Sequence, residues 1–174
     1  SSDLKEDIGK DGRNDIHENR YSMSSNQYGG DNKHMSKGNK IFSLQSKPSI
    51  SVKEYIVRIA NITKCRPESF IIALIYLDRS LVHEAVYPSS YTIHRLLLTA
   101  IMIASRQTSA IGGKEGKYSL FQQVSGLPEA ELKILENSML KLLNFNIEVS
   151  KSDIFEYGEN LIKYKPQNMF KSEH

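Results

Sequence analysis

"YTIHRLLLTAIMIASR", residues 91–106, is the stretch that indicates the fold. Its segment 96–104 is apolar on every face of a helix except at Thr99. A helix that is apolar all round is buried on all sides. We therefore expect it to be the central helix of a helical domain. Arg106 ends the apolar run, and it either stabilises the last carbonyls of its own helix or contacts another molecule.

Further helices are predicted on both sides of this central one. Ser51 and Glu54 form a capping-box pattern, which is typical of a helix start. Pro67 and Pro128 suit first helical turns, and apolar residues recur after both at helical spacing. Only residues 145–149 alternate as a strand would, and that run is short. The pattern predicts an all-α fold.

Composition divides the chain into three parts. Residues 1–46 are rich in Gly, Ser, Asn and Lys, and their few apolar residues show no periodicity, so we predict a disordered N-terminal tail. Residues 47–165 are rich in Ile, Leu, Val and Tyr and are long enough to form one core. Residues 166–174 are predicted to be a C-terminal tail.

Several kinds of site are disfavoured by the sequence. Cys65 is the only cysteine, and His83 and His94 have no partner at metal-ligand spacing, so we expect no metal and no disulfide. The Gly-rich segment 112–118 lacks the spacing and the Ser or Thr of a phosphate-binding loop, and no nucleophile arrangement is present. We expect neither an enzyme nor a cofactor.

The same evidence limits location and partners. No apolar run has the roughly 18 to 20 residues that a membrane span needs. The net charge of +3 includes no basic block, which disfavours nucleic-acid binding. We expect an intracellular protein, with nucleus and cytoplasm both left open, and with no membrane, nucleic-acid or small-molecule partner.

Four segments in order resemble the cyclin box: "YLDR" at 76–79, "YTIHRLLLTAIMIAS" at 91–105, "VSGL" at 124–127 and "LENSMLKLLNFNIEVS" at 135–150. The "HRLL" motif resembles that of the P-type cyclins, the single-box group first linked to phosphate regulation. The resemblance covers about residues 48–160. It implies a single five-helix cyclin box around a buried third helix, together with a flanking helix.

The resemblance also implies a function and a set of residues. Cyclins bind a cyclin-dependent protein kinase and activate it by positioning its αC helix and its activation loop. The kinase-binding residues implied here are Arg106, Glu136, Leu140, Phe145 and Ile147, of which the first two contact main-chain groups of the kinase. A structural ion pair inside the cyclin box is implied for Arg58 and Asp78.

One segment departs from the family pattern. Cyclins usually have Lys-Phe followed by acidic residues at the end of the third helix, whereas this chain has Arg106 followed by Gln107, Thr108 and Ser109. Arg is a planar fork of donors rather than a point charge, so its contacts differ in geometry. This departure leaves an alternative open, a cyclin-fold adaptor that binds a partner without activating a kinase. A helical nucleic-acid binder is a third hypothesis, which the near-neutral charge disfavours.

Overall fold

The computed structural model describes residues 37–82, 86–108 and 118–164. This part of the chain forms seven helices and no strand, which confirms the predicted all-α fold and adds a helix to the predicted box and flanking helix. The helices are α1 Lys37–Phe42, α2 Val52–Thr63, α3 Pro67–Leu81, α4 Ile93–Gln107, α5 Ser119–Ser125, α6 Glu129–Leu142 and α7 Lys151–Lys163.

Helix α4 is the central helix of the domain. Every residue from Leu96 to Ser105 is buried, and α4 contacts α1, α2, α3, α5 and α6. Its buried hydroxyl groups are satisfied within the helix, since Thr99 donates to the carbonyl of Arg95 at 2.7 Å and Ser105 donates to that of Met102 at 2.9 Å. The prediction of a buried middle helix is confirmed.

The helix starts follow the local sequence signals closely. The amide of Glu54 donates to Oγ of Ser51 at 3.2 Å, and the amide of Ser51 donates to the Glu54 carboxylate at 3.0 Å. The Ser51 hydroxyl also donates to the Glu54 carboxylate at 2.7 Å, and this bond together with the one from the Ser51 amide holds the pKa of Glu54 below its usual value. Pro67 occupies the first turn of α3. At α7 the cap is Ser150, with Asp153 completing a capping box.

The folded part begins earlier than the sequence predicts. Residues 1–46 were expected to be a disordered tail, but within them α1 packs on α4 and α6, and Phe42 is fully buried. Arg95 donates to the carbonyl of Ile41 at 3.2 Å, which fixes the end of α1. The predicted boundary at residue 46 is therefore wrong, because the buried Phe42 and the partly buried Ile41 pack α1 against the core. Residues 1–36 and 165–174, with the predicted C-terminal boundary, lie outside the described residues.

In the described part of the chain, no helix is long and apolar enough to cross a membrane.

Candidate kinase-binding site

The end of α4 and the middle of α6 bring Arg106 and Glu136 into direct contact. Nη1 of Arg106 forms an ion pair with Oε1 of Glu136. The Glu136 side chain is 8% exposed and the Arg106 side chain 24% exposed, so water reaches the pair mainly from the Arg106 side. A carboxylate buried to this degree needs a cation or hydrogen-bond donors beside it. The two residues that the resemblance implied as partners of a kinase thus form one unit.

Tyr118 completes this unit. Its hydroxyl group donates a hydrogen bond to Oε2 of Glu136, and its ring lies 5.1 Å below the guanidinium carbon of Arg106. Nζ of Lys133 lies 5.7 Å from the same ring. Burial lowers the pKa of Arg106, but a guanidinium group stays protonated at any physiological pH. The site is therefore a charged and largely desolvated cluster.

The three apolar residues of the predicted set lie on α6 and just after it. Leu140 follows Glu136 by one turn of α6 and is half-buried against the core. Phe145 is 66% exposed, and Ile147 is half-buried. Asn144 and Phe145 have φ values of 49° and 57°, a left-handed conformation that costs a non-glycine residue about 1 to 2 kcal/mol. The chain thus turns at a local energetic cost and leaves an aromatic ring in solvent.

Side chains from α3 and α4 fix the segment that follows this turn. The carbonyl of Ile147 accepts hydrogen bonds from the Tyr76 hydroxyl at 2.7 Å and from Nε2 of Gln107 at 2.6 Å. Nη1 of Arg79 donates to the carbonyls of Asn146 at 3.2 Å and Glu148 at 2.8 Å. Within the described ranges no strand pairs with this segment, and side-chain hydrogen bonds hold its carbonyl groups instead.

The departure from the family pattern has a structural role here. Gln107 joins the end of α4 to Ile147, and Oγ1 of Thr108 lies 2.8 Å from Oγ of Ser69 on α3. Both side chains make hydrogen bonds within the chain. Ser109 lies outside the described residues, as does the Gly-rich segment 112–117.

The predicted ion pair between Arg58 and Asp78 does not form. Nη2 of Arg58 donates to the carbonyl of Gln123 on α5 at 3.4 Å, and Asp78 accepts a hydrogen bond from the Tyr157 hydroxyl at 3.0 Å. Helix α2 packs on α5 and α3 packs on α7, so the two side chains find partners on different neighbours. The pairing was carried over from the resemblance, and this chain's packing does not reproduce it.

A second ion pair joins α4 to α6 near their N-termini. Nη2 of Arg95 lies 2.5 Å from Oε1 of Glu131, and the two side chains are 18% and 35% exposed. Arg95 and Arg106 lie about 16 Å apart along the axis of α4. The two pairs are therefore at separate places, and the Glu131 side chain is more exposed than that of Glu136, 35% against 8%. Sequence reasoning missed the Arg95–Glu131 pair and Tyr118, because both depend on tertiary contacts that leave no periodic signal.

Within the described ranges, no cluster of His, Cys, Asp and Glu is arranged to hold a metal ion.

Comparison with known proteins identifies the family. The cyclin family model matches residues 11–147 of the chain. The chain belongs to the cyclin family. Among its relatives, the "PHO85 cyclin-like protein psl1" of Schizosaccharomyces pombe is 35% identical over 130 residues, which are 74% of this chain and 52% of that protein. Cyclin-P3-1 of rice, Oryza sativa subsp. japonica, is 31% identical over 129 residues, which are 74% of this chain and 52% of the relative.

The relatives also bear on the subgroup and on coverage. Cyclin-U2-1 of Arabidopsis thaliana is 34% identical over 138 residues, which are 79% of this chain and 58% of that cyclin. The predicted membership of the cyclin family and the likeness to P-type cyclins are confirmed, and U-type cyclins match as well. The aligned part of the chain spans about half the length of these relatives.

Proposed function

We propose that this chain is a regulatory subunit that binds a cyclin-dependent protein kinase and activates it by positioning the αC helix and the activation loop of the kinase. The observation that carries the proposal is the Arg106–Glu136 pair at one end of the central helix, on a chain that also exposes the ring of Phe145 just after α6. The fold supplies the binding surface, and phosphoryl transfer takes place in the kinase.

The polar part of this surface suits main-chain groups of a partner. Nε and Nη2 of Arg106 are buried and have no hydrogen-bond partner within the described part of the chain. A donor that is buried without an acceptor is unfavourable by about 1 to 3 kcal/mol, so a partner that draws the Arg106 guanidinium outward to one of its carbonyl oxygens would relieve that cost. A carboxylate oxygen can accept more than one hydrogen bond, so Glu136 suits the amide hydrogens of a partner backbone. Together the two residues offer donors and an acceptor to a polypeptide backbone.

The apolar part of the surface supplies affinity. Phe145 is 66% exposed, and Leu140 and Ile147 are half-buried in the free chain. Full burial of a Phe side chain contributes about 1.5 to 3 kcal/mol. Because most of the Phe145 side chain is exposed in the free chain, most of this contribution is available on binding. Hydrogen bonds from Tyr76 and Gln107 hold the backbone beside Phe145 in place. A surface that is already ordered loses less conformational entropy on binding.

Activation follows from a difference in affinity. A cyclin that binds the active kinase conformer more tightly than the inactive one shifts the population toward the active conformer. Only the active conformer has the αC helix in place, which forms the Lys–Glu pair needed for phosphoryl transfer. The chain itself would then contribute no reacting group, which fits a regulatory subunit rather than an enzyme.

An adaptor that binds without activating is the second candidate. The observation that favours it is the internal use of Gln107 and Thr108, which bond to Ile147 and Ser69 instead of extending the surface beyond Arg106. A smaller interface at this point would lower the affinity difference between the two kinase conformers. The adaptor and the activator therefore share a binding surface and differ in their effect on the kinase.

A phosphorylation assay distinguishes the two candidates. A purified cyclin-dependent kinase that binds this chain is assayed on a peptide substrate with and without the chain. The proposed function predicts a large rise in the rate with the wild-type chain and none with Arg106→Ala/Glu136→Ala. The control Arg95→Ala/Glu131→Ala removes an ion pair between the same two helices, together with the Arg95 hydrogen bond to α1, and should leave activation unchanged. Binding with no rise in rate would favour the adaptor.

A further inference from the structure

We propose that Tyr118 is a positioning residue, which holds Glu136 and Arg106 in the orientation that binds the kinase. This inference rests on the proposed function. Tyr118 is 5% exposed, so its side chain is not available to a partner as the site stands. Its effect on binding must therefore pass through the two residues that it touches, Glu136 through the hydroxyl group and Arg106 through the ring.

The two oxygens of Glu136 are held by different residues. Nη1 of Arg106 lies at Oε1, and the Tyr118 hydroxyl donates to Oε2. The last torsion of a Glu side chain is broad, so a single contact leaves the carboxylate plane free to rotate. A second contact on the other oxygen fixes that plane. The carboxylate is then held in one orientation toward a partner.

The ring of Tyr118 performs a second task. It lies under the guanidinium group at 5.1 Å, within the range of a cation–π contact. This contact holds the Arg106 plane from below while Glu136 holds it at one edge. Arg106 stands where cyclins usually have Lys, and a planar fork of donors needs its plane fixed, whereas a rotating ammonium group does not.

Helix α5 sets the position of Tyr118. Tyr118 precedes the first residue of α5, and its carbonyl accepts from the amide of Gln122 at 2.8 Å. Phe121 and Val124 of α5 are 1% and 2% exposed, so the short helix is fixed in the core. Tyr118 therefore enters the site from a rigid element that is separate from the α4 and α6 helices. The three residues come from three helical segments, and each limits the freedom of the other two.

Tyr118→Phe tests the proposal, because it removes the hydroxyl group and keeps the ring. Dissociation constants are measured with the full chain and the cyclin-dependent kinase that the wild-type chain binds. We expect Tyr118→Phe to weaken binding about tenfold, since a hydrogen bond to a charged group is lost from a surface ordered for binding. The control Tyr55→Phe changes another buried tyrosine, whose ring contacts His94 at the opposite end of α4, and should bind as the wild type does.

A double-mutant cycle separates positioning from general stability. In the Glu136→Gln background we expect Tyr118→Phe to weaken binding less than about threefold, because the carboxylate that Tyr118 orients is gone. The proposal is overturned if Tyr118→Phe binds within twofold of the wild type, or if its effect is the same in both backgrounds. Failure of the wild-type chain to bind any cyclin-dependent kinase would instead refute the proposed function. The two failures are therefore distinguishable.

Discussion

Arg106→Ala should destabilise the fold far more than the loss of a surface ion pair would. The substitution takes away the guanidinium group that pairs with the carboxylate of Glu136, whose side chain is 8% exposed. Removing one partner of a fully buried pair costs about 3 to 5 kcal/mol. Because the Arg106 side chain is 24% exposed and water can enter, we expect the free energy of unfolding to fall by about 2 to 3 kcal/mol.

A second substitution should partly reverse this loss. Glu136→Gln replaces the buried carboxylate with a neutral amide of nearly the same shape, which needs no cation beside it. We therefore expect Arg106→Ala/Glu136→Gln to be more stable than Arg106→Ala by about 1 kcal/mol or more. In an independent pair the second substitution would only add to the damage. The decisive quantity is therefore the sign of the change in the free energy of unfolding when Glu136→Gln is added to Arg106→Ala.

Urea unfolding followed by circular dichroism gives these free energies directly. For a domain of this size, 2 to 3 kcal/mol corresponds to a fall in melting temperature of about 6 to 12 °C. The reasoning is refuted if Arg106→Ala costs less than about 1 kcal/mol, which is the range of an exposed pair or of a helix-capping cation. It is also refuted if Glu136→Gln makes the Arg106→Ala variant less stable still.

Three further predictions concern other parts of the fold. Phe42→Ala should lower the free energy of unfolding by about 3 to 5 kcal/mol in a urea titration, because the side chain is fully buried, and an unchanged midpoint would mean that α1 does not pack on the core. Burial raises the pKa of Tyr55 and of Tyr76 to about 12 from the usual 10, so their neutral forms stabilise the fold fully below about pH 10 and this contribution is lost as the pH rises through about 12. Phenolate absorbance and the free energy of unfolding, measured together over this pH range, test the prediction. In each Tyr→Phe variant the free energy of unfolding should fall less steeply as the pH rises. Gln107→Ala should cost at most about 1 kcal/mol, since Tyr76 still donates to the same carbonyl, and a larger loss in thermal unfolding would contradict the shared contact.

The sequence predicted the features that depend on local pattern. Helix α4 was identified because a helix that is apolar on every face must be buried on all sides. Every residue from Leu96 to Ser105 is buried in the structure. The starts of α2 and α3 followed from Ser51 and Pro67, whose effects act within one helical turn. These signals are short in range, so they need no knowledge of the tertiary fold.

Features that depend on distant contacts were missed or wrongly predicted. Helix α1 is six residues long and gains its stability from Phe42 in the core, so composition alone assigned it to the tail. Asp78 accepts a hydrogen bond from Tyr157 because α7 packs on α3. The sequence pattern of neither helix predicts this packing. The contact between Tyr118 and Glu136 depends on the packing of α5 against α6. The resemblance supplied Arg106 and Glu136 as a pair, and the tertiary fold supplied the third residue.

The most direct test of the central claim is a comparative affinity purification from the source cells. The wild-type chain, Arg106→Ala/Glu136→Ala and the control Arg95→Ala/Glu131→Ala are immobilised in equal amounts, and the kinases recovered on each are identified and quantified. We predict that one cyclin-dependent kinase is recovered with the wild-type chain and the control, and that it is lost with Arg106→Ala/Glu136→Ala while the helical circular dichroism of that variant is unchanged. Recovery of no cyclin-dependent kinase, or equal recovery on all three, would contradict the account.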